Sequence, residues 1–178
     1  MLFGLIMATG AGAGATPLVT PTSRDGHADF DFLIGRWHTH YRFLRERLAH
    51  ASFWDECDGD ATVTGAWGVA NMEVSVARCP PPRGNIDSMT LCIYSPGKHQ
   101  WSLYWGTRKI GLELSPQVGH FNEDGVGDFF ADSTFRGKPV TIRYRWSTKN
   151  RLPHLAHAFS ADGGVTWETN WICDYTRV

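Results

Sequence analysis

The chain reads as an all-β protein: a single antiparallel up-and-down barrel of about ten strands, with a short helical turn at its start. Three observations predict this. Apolar and polar residues alternate with period two along most of the chain, as strands with one buried face require. Turn chemistry recurs at short intervals, in Cys79-Pro-Pro-Pro-Arg-Gly84, Ser95-Pro-Gly97, Asn122-Glu-Asp-Gly125, Arg136-Gly137, Lys149-Asn150 and Asp162-Gly-Gly164. No segment carries the 3.6-residue periodicity of an amphipathic helix. About ten strands in simple succession make either a sandwich or a closed meander barrel, and closure removes the exposed edges.

The first 26 residues stand apart. Leu2 to Met7 is a short apolar run, followed by the small-residue tract Ala8 to Ala15. This leader reads as disordered or signal-like, with a candidate cleavage after Ala15 but no Lys or Arg before the apolar run. The expected location is the cytoplasm, with a periplasmic or secreted protein as the alternative if residues 1–15 are a signal peptide. No run is long enough to span a bilayer as a helix.

Residues 27–178 form one domain without repeat or linker. Asp29-Phe-Asp-Phe-Leu-Ile-Gly35 reads as the helical turn, capped by Asp29 or Asp31 and ended by Gly35. Strands follow at about 36–48, 53–66, 69–78, 88–95, 99–107, 110–121, 126–136, 138–148, 154–161 and 166–177. The final hairpin is the most specific stretch. Ser160-Ala-Asp162-Gly-Gly-Val-Thr166-Trp167 resembles the Asp-box hairpin of sialidases, in which the Asp carboxylate holds the turn backbone and the Trp packs beneath it.

Alternation assigns the faces. Trp37, Thr39, Tyr41 and Phe43 should point inward, as should Met72, Val74 and Val76, then Met89, Leu91 and Ile93. The same parity sends Trp101, Leu103 and Trp105 inside, then Val140, Ile142, Tyr144 and Trp146, and finally Trp167, Thr169, Trp171, Cys173 and Tyr175. His38 and His40 fall with Arg42 on the polar face, so they read as solvated side chains rather than a zinc pair. Glu168, Asn170 and Asp174 share the outward face of the last strand, where Arg143 or Arg145 could pair with them. His157 lies between Leu155 and Phe159 and is the only histidine that parity sends inward.

A net charge of −1 offers no electrostatic footprint for nucleic acid. Four cysteines without C-x-x-C spacing exclude the common zinc and redox motifs, and buried reduced thiols are expected. There is no nucleophile elbow, phosphate loop or dinucleotide fingerprint. With 8 Trp, 10 Phe and 5 Tyr in 178 residues, the aromatic content suits both a β core and a ligand cavity.

Phe32-Leu-Ile-Gly35-Arg-Trp37 resembles the Gly-x-Trp opening of the lipocalin and calycin barrels. The domain is similar to bacterial lipocalin-like proteins that open on Asp-Phe-Leu-Gly-x-Trp, and more distantly to the nitrobindin and fatty-acid-binding barrels. The resemblance implies that Trp37 closes the barrel floor and stacks on Arg177 at the end of the last strand. It also implies an interior that takes a small, mostly apolar or aromatic molecule without a cofactor. Trp101, Trp105, Trp146 and Trp171, with Thr39 and Thr169, would line that cavity. The alternative is a cofactor-independent isomerase, cyclase or lyase in the same cavity. There His157 would be the general acid/base and Tyr41 or Tyr144 would polarise the substrate, with Tyr175 and Thr169 as polar neighbours. Haem, as in nitrobindins, is a weaker alternative, because their axial histidine lies near the C-terminus and this chain has only His157, one strand earlier. A filled barrel acting through its surface is a further reading, and a homodimer stays open.

Overall fold

A computed structural model describes residues 24–178; most of the leader lies outside the described residues. After a 3-10 turn at Asp31–Leu33, the strands are β1 (Gly35–Leu44), β2 (Trp54–Ala66), β3 (Ala70–Arg78), β4 (Ile86–Ser95), β5 (Gln100–Thr107) and β6 (Gly111–Leu112). They continue with β7 (Gln117–Phe121), β8 (Gly127–Phe135), β9 (Lys138–Lys149), β10 (Leu152–Ser160) and β11 (Glu168–Arg177). Each of the ten long strands pairs antiparallel with its neighbours in sequence, and β11 pairs with β1 to close the ring. The two-residue β6 is a spur on β5, so the strand expected over 110–121 is broken at Glu113 to Pro116. The expected ten-strand meander barrel is the fold.

One end is sealed. Trp37 stands on the floor with the Arg177 guanidinium 3.8 Å from its ring centre, and its indole N–H donates to the Leu33 carbonyl at 2.7 Å. Phe30, from the turn before β1, is wholly buried and meets Trp101, Phe121 and Trp146 edge to face. That turn carries no side-chain cap; Asp29 instead takes Arg24 in a two-pronged ion pair. Residues 24–26 are tied to the barrel, since Gly26 N–H donates to the Tyr94 hydroxyl and its carbonyl accepts the Trp101 indole N–H.

Parity holds on β1, β5, β9 and β10 and is reversed on β3 and β4. There Met72, Val74 and Ile93 face out at 40, 53 and 40% exposure, while Asn71, Glu73, Ser75 and Cys92 are buried. The tight turn at Trp67 and Gly68 sets the register that pairs Val63 with Glu73 and Ala61 with Ser75. Val63 and Ala61 are buried inside, so their partners must be inside too. The inner wall over β3 and β4 is therefore polar.

On β11 a bulge shifts the expected faces. His157 pairs with Trp171 and Ala158 with Thr169, which leaves Asn170 as the extra residue. Thr169 and Trp167 consequently lie on the outer face, where Trp167 packs on Phe130 and under the Arg143 guanidinium at 4.4 Å. The Asp-box turn forms as its motif implies. The Asp162 carboxylate accepts from the Val165 and Thr166 amides at 3.1 and 2.9 Å, and these bonds with the Thr166 hydroxyl hold it down at a pKa of about 2. His38 and His40 sit outside against Asp60 and Asp58. Asp174 pairs with Arg42 and His154 rather than with Arg143 or Arg145, which face Asp128.

The reduced-thiol expectation is met for Cys92 and Cys173 and overturned for the other two, because Cys57 and Cys79 form a disulfide. Asp58 pairs with Arg78, so Cys57 and Cys79 face each other one step further along the hairpin, with Cα atoms 4.8 Å apart. Closing a 22-residue separation restricts the unfolded chain by up to about 3 kcal/mol. Replacing both cysteines with alanine should lower the unfolding free energy by that amount or less in urea titration. An unchanged midpoint would mean that the hairpin ladder alone restrains the unfolded chain.

Candidate functional site

The site lies halfway up the lumen. Tyr41 from β1, Glu73 and Ser75 from β3, Ser88 and Thr90 from β4, and Trp105 from β5 form one side. Tyr144 and Trp146 from β9, Leu155 from β10, and Trp171, Cys173 and Tyr175 from β11 form the other. Side chains fill most of the space, leaving a volume of about 20 Å³, room for roughly one water molecule.

The polar side is organised around Glu73. Its Oε2 accepts from the Tyr175 hydroxyl at 3.0 Å, and the Ser75 and Ser88 hydroxyls meet at 3.0 Å across the β3–β4 ladder. Burial pushes the Glu73 carboxyl up from its ordinary value, against the hydrogen bonds from Tyr175 and Ser75. No Lys, Arg or His among the described residues pairs with it. Tyr41, Tyr175, Cys92 and Cys173 surround this carboxyl, and burial raises all four pKa values, so they are neutral at physiological pH. Across the cavity the indole N–H groups of Trp146 and Trp171 are buried without a hydrogen-bond partner.

Above the cavity, toward the open end, His157 is buried. Its ring packs on Tyr144, Phe159 and Trp171 at centroid separations of 4.8, 5.1 and 5.9 Å. Nδ1 donates to the Asn170 side-chain oxygen at 2.7 Å, while Asn170 turns its amide to the Glu168 carbonyl. Burial, reinforced by the nearby Arg47 charge and opposed by the Asn170 hydrogen bond, pushes the imidazole pKa down to about 3. At neutral pH the ring is uncharged and presents Nε2 as an acceptor. Residues 45–53 arch over this end, bringing Arg47 to 5.4 Å from the Phe159 ring centre and the Leu48 amide to the Glu168 carboxylate. Arg83 lies 4.5 Å from the Phe43 ring centre on the same rim.

Of the residues expected at the site, Tyr41, Tyr144, Trp105, Trp146 and Trp171 line the cavity and His157 sits at its upper end. Trp101 belongs to the floor, bound to Gly26. Thr39 is buried in the lower wall outside the lining set, and Thr169 is outside the barrel. Glu73, Ser75, Ser88 and Thr90 lie on the face opposite to the one that apolar alternation predicts for β3 and β4. The signal for them lay in the Trp67-Gly68 turn, from which the register and inward face of β3 follow.

A haem needs a pocket on the order of 300 Å³ or more. His157 is enclosed by the rings of Tyr144, Phe159 and Trp171, so the residues present do not fit the group. Among the described residues no helix is long and apolar enough to cross a membrane.

No protein-family profile and no curated protein matches this chain. Among solved structures, EF1p2_mFAP2b bound to DFHBI is similar over 85% of this chain and 98% of its own, at 6% sequence identity and a TM-score of 0.44.

Proposed function

We propose that the barrel binds a small, single-ring, mostly apolar molecule carrying one polar head group, held between Trp105, Trp171 and Tyr144. The polar half-wall inside an aromatic core carries this reading. A barrel selected only for stability gains nothing from burying Glu73 and Ser75 in its lumen, because each buried polar group must recover its lost hydration. The two unpartnered indole donors face the same problem.

A single ring needs a cavity of about 150 Å³. Trp105 and Trp171 are half-buried beneath the open end, and turning one indole outward would free a volume of that order. Fixed polar groups then orient the ligand while the rings supply contact area. The disulfide supports the exported alternative, since such cross-links persist in oxidising compartments.

The test is thermal unfolding of the full chain against phenol, benzoate and related single-ring compounds. A ligand present at a hundred times its Kd adds about 2.7 kcal/mol. Thr90→Phe, which fills the lumen, should abolish that shift. If no compound moves the midpoint, the lumen is packing and the protein acts through its surface.

A further inference from the structure

We infer that the head group taken by this cavity is a protonated amine, received by the Glu73 carboxylate within the ring of Tyr41, Trp105, Tyr144 and Trp171. The inference rests on the cavity being a ligand site, and names what that site selects. Three observations carry it.

First, Glu73 is buried at the polar side of the cavity, and its known contacts are the hydroxyls of Tyr175 and Ser75. These neutral donors satisfy part of a carboxylate's hydrogen-bonding capacity and none of its charge. Second, every titratable group facing it is itself an acid: Tyr41 from β1, Cys92 from β4, and Cys173 and Tyr175 from β11. The site thus lacks a cation of its own, and a cationic ligand would complete it. Third, the rest of the lining presents aromatic rings, whose faces attract an ammonium group. A carboxylate opposite indole and phenol rings is complementary to an arylalkylamine, and a neutral alcohol of the same shape forgoes both attractions.

Without ligand, burial favours the protonated carboxyl; a bound ammonium would stabilise the carboxylate and release its proton. Amine affinity should therefore rise with pH through the carboxyl's titration and fall again once the free amine deprotonates.

The experiment compares phenethylamine with phenethyl alcohol, using thermal unfolding and tryptophan fluorescence of the full chain. At pH 7.5 the amine should bind at least about tenfold more tightly. Glu73→Gln, which keeps the shape and a hydrogen-bonding head, should remove that preference, so that the two probes bind the variant with similar affinity. On the unmutated chain, the amine alone should show the rise with pH, a readout that does not depend on the variant folding. Equal affinity for the two probes, or an amine preference that survives Glu73→Gln, overturns the amine assignment and leaves the cavity reading standing. Stabilisation by neither probe, nor by any of the single-ring compounds, overturns both.

Discussion

Trp37→Ala lowers the unfolding free energy by about 3–5 kcal/mol, the expected loss when a fully packed indole is deleted from a core. Trp37 is 2% exposed, and three attachments converge on it. Tyr175 meets it edge to face at 6.0 Å, Leu33 accepts its N–H, and Arg177 covers its outer face. Truncation would open a cavity at the floor and leave the Leu33 carbonyl without its donor. Domains of this size have only about 5–15 kcal/mol in total, so the variant would sit close to unfolding.

Gly35 shows why the arrangement demands its neighbours. Its φ is +139°, in the half of the map that favours glycine, and a Cβ there would strike the Arg177 guanidinium. That guanidinium also donates to the Ile34 carbonyl at 3.1 Å, so Arg177 ties the chain's entry into β1 to its exit from β11. Arg177→Ala should therefore lose only about 1 kcal/mol, because its cation–π contact is partly exposed. A double-mutant cycle between Trp37 and Arg177 should return a similar coupling. Urea midpoints for the three variants decide this. A Trp37→Ala loss below about 1 kcal/mol would mean that the floor is closed by Phe30 and Trp101 alone.

This floor was legible in the sequence because each part of it obeys a local rule. Gly35 and Trp37 adjoin the helical turn, and Arg177 shares inward parity with Tyr175. The ten strands were legible for the same reason, since turn chemistry is written in adjacent residues. The upper cavity was harder, for two physical reasons. Strands whose inner face is polar invert the rule that apolar side chains point in, and β3 and β4 do this with Glu73, Ser75, Ser88 and Thr90. The bulge at Asn170 is one inserted residue that no local composition announces, yet it decides whether Thr169 or Asn170 meets the interior. Pairing supplies what parity cannot. Once β2 is paired beside β1, the Trp67-Gly68 hairpin brings Glu73 inside and sets Cys57 opposite Cys79.

Burial makes His157 a sensor of acid, against the Asn170 hydrogen bond, and this gives the second large effect. The unfolded chain's imidazole titrates near 6.5, whereas the folded one resists protonation until about pH 3. Below pH 6.5 the unfolded chain takes up a proton that the folded chain refuses, so His157 makes stability fall with pH by up to about 1.4 kcal/mol per unit. Over the whole interval the loss is about 5 kcal/mol. Glu73 acts in the opposite sense. Its raised folded value adds stability below the ordinary carboxyl range, and that contribution is lost as pH rises through the folded value. The two therefore oppose each other from the ordinary carboxyl value upward, and only the His157 slope persists below it.

Comparison with His157→Phe isolates the histidine, because Glu73 is common to both proteins. The difference in unfolding free energy between the two should shrink by about 2–3 kcal/mol on going from pH 7 to pH 4.5, read from urea titrations at each pH. Phenylalanine leaves the Asn170 oxygen unpaired at every pH, so that penalty cancels in the comparison. A difference that does not change with pH would show that His157 titrates in the fold as it does in the open chain. The ring would then have to be reached by water past Arg47 and Trp171, beneath the arch of residues 45–53.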